Sequence, residues 1–453
     1  MIQPMPHILH IEHFKMLDNW SVAGIVSRAI SYNDRYQLVP IGSFLSRNRN
    51  VIVLDSNTQY TQITIKTNNG GVVERGKKKG QDIGTKKQTI VRAGQFVFSK
   101  IDARNGAFGI IPKELDGAVV TNDFPVFDVD DNKVNPGFLV LVTTTKAFIK
   151  FAQSCSNGTT NRQRIDVIKF LQQRIPLPAI EEQESIVSEY NSKIQEANNV
   201  EQEAIAIENG NNVYLCQKLG ASIIKDNNDI RDGYKYLHFA RYHFIDEWGT
   251  EIIFKKQKQE SFKYPIVKIK DLCKLGSGDT PSRSNQQYYN GDIPWVKTGE
   301  VVNDEILETE EHITKEAIAN SSAKLYPKGS VIIAMYGQGD TRGRTAKLAI
   351  DATTNQACAV LYDIDNTIVS TDYLWYYLQG RYHDLRSLAS GNNQPNLNAG
   401  KIKNYDVVVP PMCVQNEIVA HIKEQKALAK SLRQRAQILR QEALTEFETK
   451  IFG

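Results

Sequence analysis

At Ile175 the hydrophobic pattern of the chain changes period. Ile175-Pro-Leu-Pro178 reads as the end of a strand, because proline fixes its own φ and offers no amide donor. Ala179-Ile-Glu-Glu-Gln-Glu-Ser185 then places acidic residues where the positive end of a helix dipole favours them. Val187, Tyr190, Ile194, Ala197, Val200 and Ala204 follow at three- and four-residue spacings, which predicts a helix with one apolar stripe to about Ala206. The device returns at Val409-Pro-Pro411, where Gln415-Asn-Glu-Ile-Val419 opens a helix that runs almost to Gly453, and Pro178 to Val187 lies position for position over Pro410 to Val419.

In that last helix Ile418, Ile422, Gln425, Ala429, Leu432, Ala436, Leu439 and Ala443 alternate steps of four and three, a heptad seam. Such a seam either packs on its own domain or meets another helix. The Val187 to Ala204 stripe is the obvious mate, and antiparallel pairing would set two globular domains at opposite ends of a stalk. Tyr190, Ile194, Leu432 and Leu439 are the candidate subunit-interface positions on it.

Two matching junctions suggest a repeat of the whole chain. Leu9-His10, Phe14, Asp18 and Trp20 reappear at a constant offset as Leu237-His238, Tyr242, Asp246 and Trp248. Leu38-Val39 with Ile41 answers Ile266-Val267 with Ile269, and Gly94 with Phe96-Val97-Phe98 answers Gly329 with Val331-Ile332-Ile333. Thr121-Asn122 answers Thr354-Asn355. At 453 residues the chain exceeds one core, and the repeat divides it into a first domain (1–178), a helical spacer (179–232), a second domain (233–411) and a C-terminal helical spacer (412–453). The expected fold class is α+β: two mixed α/β domains in tandem, each followed by a long helix, with the helices paired as an antiparallel coiled-coil stalk.

The first domain carries its chemistry in loops at strand ends. Ile63, Ile65 and Val72-Val73 flank Asn68-Asn-Gly-Gly71, a hairpin signal. From Lys66 to Arg92 eight Lys or Arg face two acids; Arg75, Lys77, Lys78, Lys79, Lys86 and Lys87 are the candidate contacts. Such a run is either a solvated face or, interleaved with Gly, Gln and Thr on strands, a surface for phosphates and groove edges. An apolar strand at Val97 breaks into a polar loop holding Lys100, Asp102, Arg104 and Asn105. This is either a turn closed by Asp and Asn or a base-reading loop, since Arg and Asn make bidentate contacts to guanine and adenine. A second polar loop, Ser156 to Arg164, adds Arg162 and Arg164.

In the second half Leu275-Gly-Ser-Gly-Asp-Thr-Pro-Ser-Arg-Ser-Asn285 is followed by Tyr288-Tyr-Asn-Gly-Asp-Ile-Pro-Trp295 and Lys297-Thr-Gly-Glu300. Gly276 and Gly278 free the backbone and Thr280-Pro281 stiffens a turn, leaving Ser277, Thr280, Ser282, Arg283, Lys297 and Thr298 as donors to a phosphate or base. No Gly-Lys-Ser/Thr follows, so this is not a nucleotide-cradling loop. Tyr336, Gln338, Arg342 and Arg344 occupy the place of the Lys100 loop, and Asn393 and Gln394 that of the loop before the first junction.

Lys86-Lys-Gln-Thr-Ile-Val-Arg-Ala-Gly94, Ser99-Lys-Ile-Asp-Ala-Arg-Asn-Gly-Ala-Phe-Gly109 and Ile175-Pro-Leu-Pro178 with Glu181-Glu-Gln183 resemble the target-recognition domains of type I restriction-modification specificity subunits. The Gly-x-Thr-Pro-Ser … Trp pattern at Gly278 to Trp295 resembles the other common type of these domains, which implies two unlike readers on one scaffold. The resemblance spans nearly the whole chain. It implies a non-catalytic subunit that binds a bipartite, asymmetric site in double-stranded DNA and holds two modification subunits, which use S-adenosylmethionine to methylate adenine. It also implies restriction subunits that use ATP and Mg to translocate and cut; a related restriction-modification type and a stand-alone DNA-binding protein remain alternatives.

Composition trims the other classes. A net charge of +4 calls for local basic patches rather than a polyanion-binding surface overall. Cys155, Cys216, Cys273, Cys358 and Cys413 are never spaced C-x-x-C, which fits reduced packing residues without zinc or disulfides. His7, His10 and His13 could share a helix face, but only His10 has a counterpart, His238, and capping or packing accounts for them better than a metal. The longest apolar runs, such as Phe138-Leu-Val-Leu-Val142, are of strand length, and a cytoplasmic prokaryotic protein without a membrane span is expected. A methyltransferase would need Asn/Asp-Pro-Pro-aromatic, whereas the only Pro-Pro is Pro410-Pro411. Glu424-Gln-Lys426 and Glu448-Thr-Lys450 lie on the last helix, not on a nuclease strand, and a coiled-coil adaptor would leave the Arg/Asn/Gln loops without a task.

Overall fold

A computed structural model describes residues 32–67, 69–154, 156–157, 164–221, 262–337, 339–388 and 397–453. The repeat landmarks before residue 32 and from Leu237 to Trp248, the three early histidines, Arg162, Gln338, Asn393 and Gln394 lie outside the described residues. The chain divides into two compact units, residues 1–200 with 435–453 and residues 201–434, so both long helices are shared between units.

The first unit holds two sheets. A four-stranded sheet runs in the order Leu45–Arg47, Val126–Val129, Phe96–Phe98, Phe108–Ile110. A five-stranded sheet runs Val51–Val53, Lys87–Ile90, Val119–Val120, Gln59–Ile65, Val72–Lys79. The core is aromatic: Phe96, Phe98, Phe108, Phe127, Phe138, Phe148 and Phe170 are fully buried, with Phe98 and Phe170 ring centroids 4.6 Å apart. Burying each such side chain contributes about 1.5–3 kcal/mol, which lets short strands hold together. The apolar run at Phe138 forms a helix, Pro136–Thr143, rather than a strand. Asn135 Oδ1 accepts from the amides of Gly137 (2.8 Å) and Phe138 (3.2 Å), and Pro136 stands at the first helical position, where its missing N–H costs nothing.

The second unit repeats part of this plan. Its five-stranded sheet runs Lys274–Ser277, Cys358–Tyr362, Val331–Ala334, Thr345–Leu348, Glu305–Ile306. The first four strands match the order of the four-stranded sheet of the first unit, and each unit also pairs an entry strand with its exit strand, Leu38–Pro40 with Arg174–Pro176 and Ile266–Lys268 with Asp406–Val408. The remainder differs. In place of the five-stranded basic sheet stands a three-stranded one, Glu311–Ile313, Tyr289–Val296 and Thr353–Thr354. The two domains therefore share a scaffold and differ in what is built on it.

The junctions open two long helices, Ile180–Lys218 and Met412–Phe452. In the first unit Ile186, Ala197 and Val200 are buried, as are Ala436, Ala443, Phe447 and Ile451. Glu189 pairs with Lys450 (2.5 Å), Lys193 with Glu446 and Glu196 with Arg435 (3.1 Å), so numbers rise on one helix as they fall on the other and the pairing is antiparallel. In the second unit Ala204, Leu215 and Leu219 are buried, as are Ile418, Ile422 and Ala429, and Glu208 meets Arg433 (2.5 Å) and Lys218 meets Glu417 in the same antiparallel sense. The seam is thus satisfied within the chain; charges at its flanks fix register more than they stabilise. Tyr190, Ile194, Leu432 and Leu439 are half-buried along these seams. Among the described residues no helix is long and apolar enough to cross a membrane.

Candidate nucleic-acid interface

The basic strand Val72–Lys79 is an edge strand, and its pairing with Gln59–Ile65 slips once. Gln62 stands opposite Gly76 and Ile63 opposite Glu74, which leaves Arg75 as the extra residue of a β-bulge, with Gly76 at φ 146°. A bulge re-aims the strand beyond it. Arg75, Lys77, Lys78 and Lys79 are all exposed and have no ion-pair or hydrogen-bond partner for their side chains among the described residues. Lys87 is exposed on a strand of the same sheet, Lys87–Ile90, separated from the basic edge strand by two others. Lys86 is committed elsewhere: its Nζ donates to the carbonyls of Gly80 (2.7 Å) and Gln81 (3.0 Å), closing a turn.

The loop after Phe96–Phe98 is a built turn. Ser99 Oγ donates to Asp102 Oδ2 at 3.0 Å, a single 3-10 turn Ala103–Asn105 follows, and Gly106 closes it at φ 76°. Asp102 belongs to the turn, whereas Asn105 is exposed and Arg104 half-buried. Arg164 lies beside this loop, because Ile165 N donates to Lys100 O at 2.9 Å. Its guanidinium straddles the Asp123 carboxylate (3.1 and 3.4 Å), which holds its pKa above the ordinary arginine value. The Lys100 ammonium is pushed below the ordinary lysine value by burial and then by Arg47. Arg47 was not foreshadowed by a charge run; the alternation Arg47-Asn-Arg-Asn50 at a strand end has the composition of the candidate loops and is the signal for it.

In the second unit the glycine-rich motif is architecture first. A Cβ on Gly278 would stand 1.7 Å from Thr354 O, and one on Gly276 would stand 2.3 Å from Tyr326 Oη. Tyr326 Oη donates to Ser277 O (2.8 Å), Trp295 Nε1 donates to Asp279 O (3.0 Å), and the Thr280 hydroxyl bonds Gln356. Thr298 accepts from Asn355 Nδ2 at 3.1 Å. Thr280 and Thr298 are therefore engaged within the domain, while Ser277, Ser282 and Arg283 are exposed. Arg283 stacks on Tyr289 (4.5 Å) and Trp295 (5.0 Å) and bonds Glu311 at 2.6 Å, which draws the Glu311 carboxyl below its ordinary value. Lys297 bridges Glu310 (2.7 Å) and Glu311 (3.0 Å).

The loop holding Tyr336, Arg342 and Arg344 joins Val331–Ala334 to Thr345–Leu348, as the Lys100 loop joins the matching pair. Arg386 Nη1 donates to Gly339 O (2.8 Å) and Tyr382 Oη to Asp340 O (2.8 Å), so a short helix, Tyr382–Ser387, buttresses it. Tyr336 is 38% exposed, enough to offer a ring face.

The family model described as the type I restriction modification DNA specificity domain matches this chain twice, over residues 44–209 and 260–438. The chain belongs to that family. Each match covers a domain and part of the long helix after it. The chain is similar to the MjaIX specificity subunit of Methanocaldococcus jannaschii (26% identical over 190 residues, 41% of this chain and 43% of that one). It is also similar to the HindI specificity subunit of Haemophilus influenzae (22% over 377 residues, 73% and 80%) and to the EcoR124I/EcoR124II specificity subunit of Escherichia coli (27% over 179 residues, 38% and 44%). The matches to the M. jannaschii and E. coli proteins span under half of those chains. A solved chain from a study of complex assembly and conformational transition of the type I R-M system superposes with TM-score 0.55 at 16% identity, over 92% of this chain and 98% of that one, and shares the fold.

Proposed function

We propose that this protein is the DNA specificity subunit of a type I restriction-modification complex: a non-catalytic reader of a bipartite, asymmetric duplex site. The observation that carries it is the pair of unlike sheets on one repeated four-strand scaffold, the basic five-stranded sheet ending at Lys79 and the three-stranded sheet built around Trp295. A repeated scaffold suits two half-sites, and unlike outer sheets suit different sequences in them. Arg75, Lys77, Lys78, Lys79, Lys87, Asn105, Ser282, Arg283, Tyr336, Arg342 and Arg344 supply phosphate and base-edge donors on this reading.

The remaining chemistry lies in partners. Two modification subunits, using S-adenosylmethionine, would extrude and methylate adenine, and restriction subunits would use ATP and Mg. The setting is the prokaryotic cytoplasm. The test is to sequence methylated adenines in cells carrying this chain with its modification subunits, then to replace residues 1–178 with another first-type domain. One half-site should change and the other persist; a change in both would overturn the division of labour, and absence of methylation at any defined site would overturn the reading itself.

A further inference from the structure

One corner of the first domain collects cations without enough anions. Strand Leu45–Arg47 pairs with Val126–Val129, Arg47 stands opposite Phe127, and its guanidinium carbon lies 5.2 Å from that ring centroid. Lys100 reaches the same corner, its amide donating to Asp123 O at 2.8 Å, and its own carbonyl accepts from Ile165, which draws Arg164 in. The Asp123 carboxylate beside them is engaged by Nε and Nη2 of Arg164. Among the described residues the Lys100 ammonium and the Arg47 guanidinium have neither a hydrogen-bond nor an ion-pair partner, and both are half-buried. Burial and then Arg47 hold the Lys100 ammonium below its ordinary value, with Asp123 opposing them and Arg164 adding to them.

The scaffold does not require this arrangement. In the second domain the register that sets Arg47 against Phe127, itself paired with Phe96, sets Leu275 against Leu361, itself paired with Val331. Met335, whose amide donates to Ala357 O at 2.8 Å as that of Lys100 does to Asp123 O, stands in the place of Lys100. That corner is closed by neutral groups. Gathering half-buried like charges costs free energy unless an anion joins them.

We infer that Arg47, Lys100 and Arg164 form a seat for one backbone phosphodiester of duplex DNA, an inference that rests on the DNA-binding reading above. A phosphate suits these groups better than a base edge. Reading guanine takes a free arginine fork, and the fork of Arg164 is already laid on Asp123, leaving its outer edge for a single contact. Lysine offers a point charge rather than a planar match. A tetrahedral oxyanion accepts from an ammonium and guanidinium edges together, and such contacts set register without carrying sequence.

The test uses the full chain and a random-sequence duplex titrated across salt. Replacing Arg47→Gln and Lys100→Gln together should lower the slope of log K against log salt by about 0.9, the loss of one phosphate contact, equally for all duplexes and with the methylated sequence unchanged. An unchanged slope, or a changed sequence, overturns the seat. A measurement on the unsubstituted chain covers a variant that fails to fold: acetylation of Lys100 by an amine-reactive ester should be suppressed by duplex but not by inorganic phosphate at the same phosphate concentration. Undiminished acetylation in the complex overturns the proposal, and equal protection by inorganic phosphate replaces DNA by a free anion as the ligand. If the unsubstituted chain binds no duplex at any salt, the DNA reading fails and takes the seat with it.

Discussion

Gln183 and Gln415 make the same three hydrogen bonds in two different units. Gln183 Oε1 accepts from the amide of Asn135 (2.8 Å), and its Nε2 donates to the carbonyls of Lys133 (3.1 Å) and Pro178 (2.8 Å). Gln415 accepts from Ser370 (2.8 Å) and donates to Ile368 (2.9 Å) and Pro410 (2.9 Å). Each side chain is fully buried, and each ties the proline exit of a strand to the N-cap residue of a helix in its own domain. The long helix is thereby anchored to the domain before it. Gln183→Leu would leave three backbone groups without partners, for a loss of about 3 kcal/mol. Urea unfolding should show the midpoint drop, with a similar drop for Gln415→Leu, while Gln195→Leu on the exposed helix face changes little.

The equivalence of these junctions was legible in the sequence because prolines, acids and a heptad pattern are local signals. The Phe138 run was ambiguous, since five apolar residues fit either period, and Asn135 with Pro136 decided for helix. The site residues were less legible. Lys86 and Thr280 look like free donors in sequence, yet one closes its own turn and the other meets Gln356, a partner 76 positions away. Arg47 was missed for the converse reason: its charge matters only beside Lys100 and Arg164, which sheet pairing and loop contacts bring to it.

Gly278→Ala separates architecture from recognition in the second domain. A methyl group there meets the Thr354 carbonyl at 1.7 Å, so the strand end must shift. Methylome sequencing should show loss of the second half-site's definition, whereas Ser282→Ala, with an exposed side chain, should leave the fold intact and alter binding alone.

Leu428 and Ile438 offer a cleaner test of partner docking than the seam. Leu432 is half-buried and Ala436 buried, so a charge at either disrupts the chain's own helix pairing. Leu428 and Ile438 are 45% and 56% exposed on the same helix. Leu428→Lys with Ile438→Lys should preserve helicity by circular dichroism and abolish co-purification with modification subunits. Undiminished co-purification would place their docking elsewhere.

Lys426 gives the second unit a pH signature. Burial holds its ammonium below the ordinary lysine value of 10.5, although its Nζ donates to Asn303 O at 2.8 Å and lies 5.1 Å from the Trp375 ring centroid. Between its depressed folded pKa and 10.5 the unfolded chain binds more protons, so stability rises with pH through that window. Compared with Lys426→Met, the parent protein should gain stability in urea as pH climbs toward 10.5 and level off above it. A difference that is flat with pH would mean that the ammonium is not held in a poorly solvated place.

The boundary between the two units falls at Val200–Glu201 in one long helix and at Gln434–Arg435 in the other. The first helix runs 39 residues without a break, a rise of about 58 Å, and the last runs 41. An unbroken helix transmits length. If these helices set the distance between half-sites, four residues inserted into each, at Gln202 and at Gln434, add about one turn, or roughly 6 Å, without moving the apolar stripe far around its axis. At about 3.4 Å per base pair that amounts to one or two base pairs. The methylated site should keep both half-sequences and gain a longer spacer; an unchanged spacer in the sequenced methylome would show that another part of the complex measures it.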